Sequence, residues 1–114
     1  MKITIRGTHL DLTPAIKSYV EDKISALTKF DNNLQLARVE LEQLTQKGTG
    51  DSFRAEVQID AADGIFRADE RHKDLYAAID LLIPKLTVQM EKAKDKGERK
   101  TREIKRKLKE GELE

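Results

Sequence analysis

The sequence predicts an α+β domain: a two-layer β-α-β-β-β-α sandwich in which two helices cover one face of a four-stranded sheet. Three observations predict it. Four short segments read as strands, and each offers one apolar face. Two longer segments repeat apolar residues every three or four positions, the period of an amphipathic helix. Because every strand has only one apolar face, both helices can cover the same side of the sheet.

The elements follow in order. In Met1–Arg6, Ile3 and Ile5 point one way and Lys2, Thr4 and Arg6 the other. Thr13-Pro14 supplies a helix N-cap and a favoured first-turn proline. Ile16, Val20, Ile24 and Leu27 form one stripe with Tyr19 beside them, and the helix should end near Phe30, because "DNN" follows. "ARVELEQL" (37–44) turns Ala37, Val39 and Leu41 inward, and "QKGTGDS" reads as a flexible loop. "FRAEVQID" (53–60) turns Phe53, Ala55, Val57 and Ile59 inward. "AADG" is a hairpin turn, since Asp-Gly readily adopts positive φ. "IFRAD" is a short fourth strand, and the chain enters the second helix near His72–Asp74. The outer sheet face is mixed in charge and has no aromatic interleaving, which argues against a base-stacking sheet.

In the second helix Leu75, Ile79, Leu82, Leu86 and Ala93 form the buried stripe. At about 100° per residue, Lys85, Gln89, Lys92 and Lys96 lie within about 60° of one another, on the flank of that stripe. Pro84 removes one backbone hydrogen bond, to the carbonyl of Asp80, and predicts a kink rather than a stop. Beyond Gly97 the apolar signal thins to Ile104 and Leu108. The division expected is a domain over 1–96 and a basic tail over 97–114, disordered when free and able to order on a polyanion.

Charge segregates along the chain. Residues 1–84 carry 11 Lys+Arg against 14 Asp+Glu, and residues 85–109 carry 11 against 4. A slightly acidic body with a basic arm suggests a polyanionic partner; the plain alternative is a solvated charged helix. Charged residues make up 38% of the 114, against about 25% in an average domain. There is no cysteine, which excludes disulfides and thiolate metal sites and fits a reducing compartment. "MKITIRG" has no signal-peptide pattern, and no apolar run is long enough to span a membrane.

The residues give catalysis little to rest on. His9 and His72 are isolated and read as loop or cap residues. "GTG" lacks a phosphate-loop frame, and "DAADG" lacks the rest of a calcium loop. The expectation is a non-enzymatic protein without cofactor, metal or small-molecule substrate. Asp74 reads as the N-cap of the second helix, and Tyr76 as a core ring with its hydroxyl anchored. Asp80 could satisfy local backbone or pair with a nearby cation.

"KDLYAAIDLLIPKLTVQMEKAKDK" resembles the signature of the ribosome hibernation factors: the hibernation-promoting factor and the ribosome-associated inhibitor, formerly sigma-54 modulation proteins. The matching residues are Asp74, Leu75, Tyr76, Ala78, Ile79 and Asp80, then Lys85, Leu86, Gln89, Met90, Lys92 and Lys94. "ITIRGTHLDLTPAIKSYVEDKISALTKF" is similar to the family's first strand and helix, so the resemblance spans roughly residues 1–97. Pro84 stands where the family usually has an acidic or polar residue. Length and "KGERK" lean towards the inhibitor branch.

The resemblance implies a fold like that of double-stranded-RNA-binding domains. The expectation is a cytoplasmic protein, monomeric when free, and the resemblance implies as its partners the small ribosomal subunit, its ribosomal RNA and the whole ribosome. It also implies occupation of the messenger- and transfer-RNA channel and silencing of idle ribosomes under stress or in stationary phase. Carried over by position, Lys23, Lys29, Lys85, Gln89, Lys92 and Lys94 should contact RNA. Lys96 joins them through the helix flank, and Arg99, Lys100 and Arg102 through the basic tail. Other readings are a basic-tailed protein-interaction module or an RNA-binding protein not specific to ribosomes.

Overall fold

The computed structural model describes residues 1–46, 50–62 and 64–112, and the side chains of these except at 45–46, 50–51 and 95–112. The order is β1 (Lys2–Thr8), α1 (Pro14–Ser25) continued by a 3-10 turn (Ala26–Lys29), β2 (Leu34–Gln46), β3 (Gly50–Ala61), β4 (Gly64–His72) and α2 (Leu75–Glu112). This is the predicted β-α-β-β-β-α sequence. The strands lie in the order β1-β2-β3-β4. β1 runs parallel to β2, and the remaining pairs are antiparallel. Parallel neighbours need a crossover, which the segment containing α1 provides.

Register places the apolar residues in rows across one face. Ile3, Ala37, Ile59 and Phe66 align in one row, and Ile5, Val39, Val57 and Ala68 in the next. A slip of one residue would turn each row to solvent, so the burial pattern fixes the pairing. β2 is longer than its alternating stretch predicts, and it carries an irregularity between Leu34 and Leu36. Leu34 and Ala37, of opposite parity, are both buried, as one extra residue in a strand allows. The predicted loop at 46–52 is shorter than expected, because Gln46 pairs with Gly50 and Thr45 with Asp51. Residues 47–49 of that loop, and Asp63 of the Asp-Gly turn, lie outside the described residues.

α1 and the 3-10 turn contribute Ile16, Val20, Ile24 and Leu27 to the core; α2 contributes Leu75, Ala78, Ile79, Leu82, Leu86 and Met90. None of the buried residues among those described is polar or charged. Gly7 has a steric reason: a Cβ there would meet the Leu10 carbonyl oxygen at 2.6 Å, so the β1–α1 loop can fold tightly over the strand.

Both helix starts carry the predicted caps. Thr13 Oγ1 accepts from the Ile16 N–H at 3.2 Å, and Asp74 Oδ1 accepts from the Tyr76 N–H at 3.1 Å. His72 Nδ1 accepts from the Asp74 N–H at 2.9 Å. His9, at φ 52°, is a non-glycine residue in the left-handed region, in the loop after β1. Helix α2 passes through Pro84 without ending; Leu82 and Leu86, buried on either side, hold it to the sheet. Its backbone is also helical past Gly97 to Glu112, where the sequence predicts disorder in the free chain. The Lys-, Arg- and Glu-rich composition favours helix locally even though the apolar stripe has thinned.

Candidate nucleic-acid interface

On both faces of the sandwich some cations are matched by carboxylates. On the outer sheet face Arg54 is enclosed by carboxylates. Its guanidinium lies 3.0 Å from Glu56, 3.8 Å from Glu42 and 2.5 Å from Asp69. The Asp69 hydrogen bond is the main cause of its raised pKa. Arg38 pairs with Asp60 at 3.4 Å. These two arginines are matched by carboxylates where they stand, while Lys2, Arg6, Arg67 and Arg71 are exposed on the same face; the lysines singled out in the sequence lie in the helix layer.

Within that layer the predicted residues divide. Lys23, near the end of α1, lies 3.8 Å from Asp80 of α2, and its Nζ is 5.4 Å from the centroid of the Tyr19 ring. The Tyr19 hydroxyl donates to Asp80 Oδ1 at 2.5 Å. Asp80 thus pairs with a nearby cation and ties α1 to α2. The Tyr19 pKa is pushed up to about 12, first by that hydrogen bond and then by burial. Tyr76 corrects an expectation. It is 38% exposed rather than a core ring, because it packs edge-on against Tyr19 with centroids 4.8 Å apart. The anchored hydroxyl is that of Tyr19.

On the other flank of α2, Lys85 Nζ sits 2.5 Å from Glu70 Oε1 and donates to the Asp69 carbonyl at 3.2 Å. Gln89 accepts from the Arg67 N–H at 3.0 Å and donates to the Arg67 carbonyl. Its amide therefore pairs with the backbone of edge strand β4 as another strand would. Gln89, expected at the RNA surface, is engaged inside the fold in this state.

Lys29, Lys92 and Lys94 are exposed. Lys94 lines an open cleft with Phe30, Asp31, Asn33 and Met90, and Phe30 directly follows Lys29 in the chain. By helical angle Lys85 and Lys92 occupy one flank of α2, while Lys94 points to the α1 side. The structure thus brings the cations into two rows: Lys85 and Lys92 towards β4, and Lys23, Lys29 and Lys94 towards α1. Lys96, Arg99, Lys100 and Arg102 lie outside the residues whose side chains are described.

Sequence reasoning missed the Tyr19–Asp80 link and the Lys85–Glu70 and Gln89–Arg67 straps. One signal was available: Lys85 and Gln89 are four residues apart on the flank nearest the buried stripe. Among the described residues, no cluster of three or more His, Cys, Asp or Glu could hold a metal ion. No helix among them is long and apolar enough to cross a membrane.

A mixed four-stranded sheet covered on one face by two helices, with exposed lysines along the flanks of α2, defines the class: a small α+β sandwich. The chain belongs to the family described as Sigma 54 modulation protein / S30EA ribosomal protein, whose profile matches residues 3–98. It is 36% identical over 104 residues to the ribosome hibernation promotion factor of Lactococcus lactis subsp. cremoris (strain MG1363), covering 90% of this chain and 54% of that protein. It is 35% identical over 105 residues to the ribosome hibernation promotion factor of Staphylococcus aureus (strain COL), with coverages of 90% and 53%. The chain thus spans about half the length of these curated relatives.

Among solved structures it resembles the N-terminal domain of Thermus thermophilus Protein Y. The TM-score is 0.69 at 35% identity, over 81% of this chain and 98% of that one. A ribosomal subunit interface protein from Coxiella burnetii gives a TM-score of 0.72 at 21% identity, over 83% and 99%. That second likeness speaks for the fold. Both confirm the predicted α+β sandwich.

Proposed function

We propose that this chain binds ribosomes and silences idle ones, acting in the cytoplasm by occupancy rather than catalysis. The observation that carries the reading is the match to the S30EA family over residues 3–98. The relatives named for ribosome hibernation and the two lysine rows of the helix layer support it. The partner surface is the ribosomal RNA of the small subunit, at the channel for messenger and transfer RNA. There the lysines replace counterions on phosphates, and the body competes with both ligands under stress or in stationary phase. The free protein is a monomer, and residues 97–114 are a separable basic tail that adds affinity.

The test is sedimentation of vacant ribosomes through sucrose with purified protein at low salt. The protein is expected to travel with the small subunit and with whole ribosomes, and to reduce initiation in a purified translation system. Protein that stays at the top of the gradient sinks the reading. Association that survives ribonuclease digestion of the ribosomal RNA would favour a protein-interaction module instead. Removal of 97–114 should leave the melting temperature unchanged and weaken co-sedimentation; a large fall in melting temperature would place the tail in the fold.

A further inference from the structure

Helix α2 carries a feature that neither its core stripe nor its lysine rows explain. Leu81 is 41% exposed and Val88 46%, Pro84 between them is exposed, and Ala77 before them is half-buried. At about 100° per residue these four fall within about 60° of one another, nearly opposite the buried stripe. Leu81 to Val88 extends about 10 Å along the axis. The face is apolar where a solvated helix would carry charge.

Its two borders differ. Lys85 and Lys92 run along one side of the ridge, and Asp80 and Glu91, both exposed, along the other. Pro84 and Val88 line a shallow depression together with Lys85 and Gln89. Asp80 is held by Tyr19 and Lys23, so on this face a strand of nucleic acid would have its phosphates drawn to the lysine border and kept from Glu91 on the other. Its bases would then lie over the ridge, with the Glu91 carboxylate on the far border able to accept from exocyclic amines.

A duplex does not fit this pattern. Its outer surface is sugar and phosphate, and setting Leu81 and Val88 against phosphates would desolvate charge without burying apolar area. Unpaired nucleotides expose the faces of their bases, which apolar side chains can cover. We therefore propose that the Leu81–Pro84–Val88 ridge, between the Lys85/Lys92 border and the Asp80/Glu91 border, is a docking surface for unpaired nucleotides of a single RNA strand. The proposal rests on the ribosome-binding reading and adds which form of RNA the helix meets.

The test uses the full chain and two fluorescent probes: a short unstructured oligoribonucleotide and a blunt RNA duplex of equal length. Wild type should bind the single strand more tightly than the duplex. The Leu81→Ser/Val88→Ser variant should bind the single strand about tenfold more weakly, because the apolar cover over a base is lost. Its duplex affinity and salt dependence should stay unchanged, since every lysine is retained. Leu81→Met/Val88→Ile should bind as wild type does. Equal weakening on both probes, no weakening, or a flattened salt dependence would overturn the proposal. Thermal melting of each variant distinguishes loss of the ridge from loss of the fold. Co-sedimentation of wild type with vacant ribosomes separates the two readings. If wild type fails to sediment, the ribosome-binding reading fails. If it sediments and shows no single-strand preference, only the ridge proposal fails.

Discussion

Asp80 serves Tyr19 and Lys23 at once, and the three groups link the end of one helix to the middle of the other. The hydrogen bond from Tyr19 is what raises its pKa, since ionisation would break that bond and set a phenolate beside a carboxylate. The sign of the resulting pH dependence follows. The folded-state pKa is raised from 10.0 to about 12, so between these values the unfolded chain binds fewer protons than the folded one. Stability from this group is fully present below the lower value and is lost as pH rises through the upper one. Absorbance titration can see it directly, because the chain has two tyrosines and no tryptophan. A phenolate component near pH 12 is expected, and Tyr19→Phe should remove it. Its persistence in the variant would mean the hydroxyl is not held by Asp80 in solution. The sequence placed Asp80 near a cation or a local backbone group and could not choose. The choice depends on a contact between residues 61 positions apart, which no local pattern encodes.

The elements themselves were legible because their determinants are local. Alternation placed all four strands, and the Thr13 and Asp74 caps marked both helix starts. The strand ends were not legible. Thr45 and Gln46 are polar, and only their pairing with Asp51 and Gly50 makes them strand. Gln89 is the same lesson within a helix. Its spacing from Lys85 suggested a shared ligand surface, whereas β4 presents an unpaired backbone edge just where that flank arrives. The side-chain amide closes this edge at Arg67 with one accepted and one donated bond. Gln89→Ala leaves both backbone groups to water at a partly open site, so a loss of roughly 1 kcal/mol is expected. Denaturant unfolding measures it, and amide exchange should quicken at Arg67. An unchanged exchange rate there would mean the strap is not formed in solution, and Gln89 would be free for RNA.

At the scale of the whole molecule, both layers carry cations, and what differs from one cation to the next is how closely carboxylates hold it. Arg54 and Arg38 on the outer sheet face are matched by carboxylates, whereas the helix layer keeps exposed lysines on both flanks of α2. On the ribosome-binding reading the polyanion meets the helix side, and the two lysine rows should contribute separably. Removing one lysine from a phosphate should take roughly 0.7–0.9 off the slope of log affinity against log salt. Within the β4-side row the residues are not equivalent. Lys85 is held by Glu70 and the Asp69 carbonyl, so a phosphate must compete for it. Lys92 forms no ion pair among the described residues. Lys92→Ala should therefore flatten the salt dependence of ribosome co-sedimentation by about one phosphate's worth and leave thermal melting unchanged. Lys85→Ala should flatten it less and lower stability slightly, because Glu70 loses its partner; an exposed pair of this kind contributes at most about 1 kcal/mol. If Lys85→Ala proved the more damaging to binding, Glu70 would have to release its lysine on the ribosome. The β4 edge would then open as the complex forms, and faster amide exchange along Arg67–Asp69 in the bound protein would be the mark of it.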